Sequence, residues 1–117
     1  MGREGTAVAV RDTSGTIRRL DNSGSITTIG NTSDPLDLED TNFNLIAIDF
    51  SAATDDIEIN HFQNEGATNI PLIFGDILLG SGDDTLTASA GIINGDVDFG
   101  GGNDTLSLSG GLSLIHI

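Results

Sequence analysis

The chain has 117 residues, one domain or less, since domains usually run to roughly 100–150 residues. Four Lys plus Arg stand against 18 Asp plus Glu, a formal net charge of −14, and a surface of that sign repels phosphate backbones and anionic lipid, which argues against nucleic-acid and membrane-surface binding. The absence of cysteine removes disulfides, thiolate nucleophiles and sulfur metal sites together.

The opening, MGREGTAVAV, lacks the basic and then apolar regions of a signal peptide, and no apolar run reaches the roughly 18 residues of a membrane helix. Taken alone, it reads as soluble and unexported. The chain nevertheless opens and closes inside strand-like sequence, so a fragment is expected whose export signals lie elsewhere. Next, TSGTIRRL and NSGSITTI repeat Ser-Gly-x-Ile at a nine-residue offset, Ser14 to Ile17 against Ser23 to Ile26, and read as half-coils of strand and turn. All four bases, Arg3, Arg11, Arg18 and Arg19, lie in this part of the chain.

Two further strands are expected downstream. NLIAIDF alternates Ile46, Ile48 and Phe50 against Ala47 and Asp49, and DDIEIN alternates Ile57 and Ile59 around Glu58. The stretches 31–42 and 61–71 carry the two prolines and no alternation, and read as loops leaving a coil. Residues 1–74 are thus degenerate coils with two loops.

The clearest signal follows. Residues 75–94 and 95–114 align with nine identities, among them Gly80/Gly100, Gly82/Gly102, Asp84/Asp104, Thr85/Thr105 and Leu86/Leu106. Ile77/Val97 and Leu79/Phe99 stay apolar while Leu78 becomes Asp98, so the odd positions face inward; Leu86/Leu106 and Ala88/Leu108 repeat the pattern, and Ile92/Leu112 supplies a third apolar point. A fixed period of this size marks a solenoid, here all-β. Glycine, serine, threonine and β-branched residues exclude helix. Three short strands, separated by GSGD or GGGN, by Ser-Ala-Gly or Ser-Gly-Gly, and by Asn-Gly, make a coil of about 20 residues that buries its apolar positions only against a neighbour stacked about 4.8 Å away. Residues 75–111 should hold two such coils. The end, LSLIHI (112–117), resembles the translated tail of a sequencing adapter, and Ser113 to Ile117 are set aside from functional argument.

Read in order, TAVAVRDTSGTIRRLDNSGSITTIG, NLIAIDFSAATDDIEI and the two GDxxxGxGxDTL-type units resemble the passenger region of bacterial autotransporters (type V secretion). The resemblance covers most of residues 6 to 111. It implies a right-handed parallel β-helix, exported by a Gram-negative bacterium and displayed at the cell surface or released from it. The implied partners are neighbouring coils, a C-terminal β-barrel and a host or cell-surface receptor.

The turns GSGDD (80–84) and GGGND (100–104) are also similar to the calcium-binding nonapeptide of RTX proteins, GGxGxDxUx, with Asp84 and Asp104 as the matching aspartates. Two departures stand against it: Leu79 and Phe99 replace the first glycine, and the period is twenty where RTX repeats run at nine. Stacked carboxylates repel by about 1 kcal/mol in water and about 3.5 at an effective dielectric of 20, so calcium could offset that cost. The simpler reading is that each aspartate accepts hydrogen bonds from turn amides while glycines supply positive φ.

Catalysis finds little footing. No G-x-S-x-G elbow is present, His61 falls in the 61–71 loop and His116 in the set-aside tail, so a base for a serine nucleophile is missing. The pairs Asp55/Asp56 and Asp83/Asp84 are adjacent in extended chain and should diverge. The expectation is a non-catalytic, surface-displayed passenger segment of stalk or adhesin type, without a cofactor. The alternatives are a calcium-binding RTX-like secreted domain and, further behind, a β-helix enzyme acting on polysaccharide through stacked carboxylates.

Overall fold

The computed structural model describes residues 5–27, 43–110 and 112–116. The expected loop 31–42 lies outside the described residues. Eleven strands and no helix make up what is described: β1 (Gly5–Arg11), β2 (Arg19–Asn22), β3 (Ser25–Thr27), β4 (Phe43–Asp49), β5 (Glu58–His61), β6 (Leu72–Phe74), β7 (Asp76–Leu78), β8 (Thr85–Ala88), β9 (Ile92–Asp98), β10 (Thr105–Leu108) and β11 (Leu112–His116).

Every pairing is parallel, and the strands fall into three ladders visited in rotation. The first ladder runs β1-β4-β7 and the C-terminal half of β9; the second runs β2-β5-β8-β10; the third runs β3-β6, the N-terminal half of β9, and β11. The described residues are therefore all-β and solenoid-like, in four circuits. Ile77 stands opposite Val97 and Leu86 opposite Leu106, so the register between the last two circuits is the one the repeat dictates, and Ile73 of the second circuit stands opposite Ile93 of the third. In the second circuit the chain leaves the stack between β5 and β6.

Side-chain alternation turns these ladders into three interior columns. Val10, Ile48, Ile77 and Val97 form one; Leu20, Ile59, Leu86 and Leu106 form the second; Ile26, Ile73 and Ile93 form the third. Ile48, Ile59, Ile73, Ile77, Leu86 and Ile93 are all 0 % exposed. Fully burying one such side chain is worth about 1.5–3 kcal/mol, so the columns carry the fold.

Four details differ from the sequence expectation. Ala47 is buried alongside Ile48, because the ladder shifts register between Ile46 and Ile48 and two residues of β4 face one of β7. The third inward position is Ile93 and not Ile92, since Ile73 and Ile26 fix that column; its next register position is Ser113. Asn94-Gly95 is no turn: β9 runs straight through it and changes ladder there. That corner packs on the one below, and a Cβ on Gly95 would lie 2.1 Å from the Gly75 carbonyl oxygen. Finally, the two Ser-Gly-x-Ile copies are inequivalent. Ser25 and Ile26 lie on β3, whereas Ser14 to Ile17 precede β2 in a turn held by the Asp12 carboxylate, which accepts from the amides of Ser14, Thr16 and Ile17.

Candidate functional site

The turn between β7 and β8 and its copy between β9 and β10 hold both candidate aspartates. Alternation along β8 explains the burial of Asp84: positions 84, 86 and 88 point inward, stacked on 57, 59 and 61. Asp84 is consequently 0 % exposed, on top of the buried Ile57. Its Oδ1 accepts from the Ile57 amide at 2.9 Å, and its own amide donates to Oδ1 of Asp104 at 2.8 Å. The structure thus brings Asp84 and Asp104 together, but each carboxylate is directed at a backbone amide of the circuit before it, and no common centre is formed.

One residue upstream, the same device runs in the opposite direction. Asp56 Oδ1 accepts from the Asp83 amide at 2.8 Å, and Asp83 Oδ1 accepts from the Asn103 amide at 2.8 Å. Asp76 likewise accepts from the Asp96 amide at 3.0 Å. Strand ladders stop at corners, where amides would otherwise lose their partners; carboxylates carry the hydrogen bonding across. The adjacent pairs diverge as expected: Asp83 is exposed and Asp84 inward, while Asp55 pairs with Arg18 and Asp56 with the amide above it.

Turn glycines follow from the same stacking. A Cβ on Gly80 would lie 1.9 Å from the Ala53 oxygen, and one on Gly100 would lie 2.1 Å from the Gly80 oxygen. Gly100 and Gly102 adopt φ of 70° and 87°, whereas Gly80 and Gly82 do not have positive φ, so close approach, more than backbone conformation, accounts for all four.

Asp84 Oδ2 is buried without a hydrogen-bond partner. Burial pushes the Asp84 carboxyl above its ordinary value, and the carboxylates of Asp104, Asp56 and Asp83 push the same way, opposed by the Ile57 amide. Among the described residues, no group of three or more His, Asp or Glu side chains is arranged to hold a metal ion.

His61 corrects the sequence reading. It is the last residue of β5, 1 % exposed, and its Nδ1 lies 3.1 Å from the Asn22 amide nitrogen in the strand below. The alternation of Ile57 and Ile59 continues to position 61; extending the period by one step would have placed it inside. The small Ala88 above leaves room for the ring. Nε2 has no hydrogen-bond partner and lies 2.8 Å from where a Cβ on Gly91 would sit. Burial pulls the imidazole below its ordinary value, with the backbone of Pro71 and Ile92 opposing.

Sequence reasoning also passed over Asp12. Hydrogen bonds from Ser14, Ile17 and Thr16 hold its carboxyl at about 2; the Asp-x-Ser order of a side-chain-closed turn was the available signal. Beside β2 and β5 lies an open depression of about 290 Å³, lined by Arg19, Asp21, Asn60, His61, Phe62, Thr87 and Ser89. Its charged groups satisfy one another: Arg19 Nε donates to Asp21 at 3.0 Å, and Asn60 donates to Asp21 Oδ1 at 2.9 Å.

In comparisons with known proteins, no family model, no curated protein and no solved structure matches this chain.

Proposed function

We propose that the chain is a non-catalytic segment of a surface-displayed autotransporter passenger, of stalk or adhesin type, wound as a right-handed β-helix with 20-residue coils at its C-terminal end. The observation that carries this reading is how the conspicuous polar groups are used. Asp56, Asp76, Asp83, Asp84 and Asp104 each accept a backbone amide of a neighbouring circuit, and His61 is sealed in the interior with Asn22. Groups that would otherwise suggest chemistry serve the stacking of strands. Neighbouring coils, a C-terminal β-barrel and a cell-surface receptor are the partners of such a segment, at the surface of a Gram-negative bacterium.

The test is display. An epitope inserted between Glu65 and Gly66, both exposed, with open space around Gly66, should leave the fold intact. In the full-length protein on its native cell, the epitope should bind antibody and be removed by added protease without lysis. Labelling that requires lysis would sink the reading. The alternative, a calcium-binding RTX-like domain, is favoured by one observation, the unpartnered Oδ2 of Asp84.

A further inference from the structure

Residues 22–24 serve two parts of the molecule at once. They form the corner between β2 and β3 in the first circuit, and the loop that leaves the stack after β5 is anchored on them. The amides of Phe62 and Leu72 donate to the carbonyls of Asn22 and Gly24 at 3.0 and 2.9 Å, while the side chains of Asn64 and Asn69 donate to Ser23 Oγ and the Ser23 carbonyl, each at 3.2 Å. The corner in turn rests on His61. Asn22 is 8 % exposed, and Gly24 holds both ends of its carboxamide: Nδ2 donates to the Gly24 carbonyl at 3.1 Å, and Oδ1 accepts from the Gly24 amide at 3.2 Å. That clasp fixes which end faces the ring. His61 Nδ1 meets an N–H at 3.1 Å and has to accept, so the proton of the neutral imidazole sits on Nε2.

We propose that Asn22 and His61 form an acid-sensitive latch, in which a proton taken up at His61 Nδ1 breaks the contact with Asn22 and frees the 62–71 loop from the corner of the first circuit. Both ring nitrogens of an imidazolium donate, so Nδ1–H would confront the Asn22 Nδ2–H with no acceptor between them. Turning the carboxamide over would offer Oδ1 to the ring, but only by breaking both bonds to Gly24, the residue that also accepts from Leu72. No opposite charge offsets the added proton. Among the described residues against the ring, β8 supplies Ala88, the corner after it Gly91 and Ile92, and the end of the loop Pro71, none of them titratable. Arg19 and Asp21 of β2 line the same depression as His61 but are exposed and bonded to each other, and Glu58 of β5 lies 3.9 Å from Arg19. Burial already favours the neutral ring. The latch sits inside the stack, between the first and second circuits.

Hydrogen exchange of peptides from the 62–71 loop of the 117-residue chain, corrected for the intrinsic rate, reads the latch between about pH 7.5 and 5. Opening should grow by up to about tenfold for each pH unit below about 6.5 and level off once the folded ring is itself protonated, while peptides of β8 stay protected. His61→Gln keeps an acceptor for Asn22 and takes up no proton, so its loop exchange should not change over the range. Asn22→Asp sets a carboxylate opposite Nδ1 and favours the imidazolium, so its loop should be better protected at the acid end than at the neutral end. Nitrogen NMR of the native chain at neutral pH should show the Nε2–H tautomer of His61. An Nδ1–H tautomer overturns the proposal, as does native loop exchange that is flat across the range. So does an acid response that survives in His61→Gln, which would assign it to carboxylates. Should His61→Gln fail to fold, the sign in Asn22→Asp decides, and an acid response there like that of the native chain overturns the proposal as well.

Discussion

Asp84 carries two opposed demands on one side chain. Oδ1 is needed to accept from the Ile57 amide, and Oδ2 is buried with three acidic neighbours and nothing to bond. Asp84→Asn keeps the acceptor and removes the charge, so at neutral pH it should stabilise the chain by on the order of 1 kcal/mol. Asp84→Ala discards the acceptor as well, and should fall below Asp84→Asn by about 1–2 kcal/mol. The pH dependence follows in sign. A carboxyl whose folded value is raised contributes stability that is full below its unfolded value, about 3.9, and is lost as pH rises through the folded value. His61 works in the other direction: its folded value is lowered, so its contribution is present above about 6.5 and is lost as pH falls through the folded value. Thermal melts of the native chain and Asp84→Asn between about pH 4 and 8 should diverge as pH rises, with the variant higher. Curves that converge at the alkaline end would show that Asp84 is not the strained group.

At the scale of the strand, position in the stack decides what a substitution costs. Leu86 and Leu106 occupy the same column, but Leu86 is sealed between Ile59 and Leu106 while Leu106 lies at the outer circuit and is partly buried. Leu86→Asp buries an unpaired charge and should abolish cooperative folding, whereas Leu106→Asp should cost less and leave the first three circuits folded. Circular dichroism with a urea melt separates the two; equal damage from both would refute the graded burial. Gly100→Ala meets the Gly80 oxygen at 2.1 Å from a φ of 70°, and should lose at least about 2 kcal/mol for reasons unconnected with any ligand. These ladders were legible where the sequence repeats itself: substitutions such as Leu78 to Asp98 reveal which face is wet, and the offset of twenty fixes the register. Legibility failed at corners. Nothing in Asn94-Gly95 distinguishes a turn from a strand bending between two ladders, and the inward choice between Ile92 and Ile93 rests on contacts with Ile73, a residue from another circuit. His61 was missed because a loop was inferred from composition, although the period-two pattern continued into it.

For the molecule as a whole, the formal charge of −14 and the stacked aspartates make any cation attractive, so the useful question is whether calcium differs from other ions. A calcium site wants six to eight oxygens, with carboxylates converging from several positions. Here the Asp84 carboxylate is turned toward Ile57, that of Asp104 toward the Asp84 amide and that of Asp83 toward Asn103, each held by a bond at 2.8–2.9 Å. Recruiting them to one ion would take these acceptors from the corner amides, a cost of about 1–3 kcal/mol for each amide left unsatisfied. Diffuse screening needs no such rearrangement, because a negative surface gathers counterions within a Debye length of roughly 8 Å at physiological salt. Calcium and magnesium at equal concentration should therefore raise the melting temperature by similar, small amounts, and the rise should shrink in added sodium chloride. Calorimetric titration should show no saturable calcium-selective step, and Asp84→Asn should respond to calcium as the native chain does. A saturable gain of β-structure specific to calcium, lost when Asp84 and Asp104 are both changed to Ala but spared when Asp76 is, would place the ion at the unpartnered Oδ2 and make the RTX-like reading the better one.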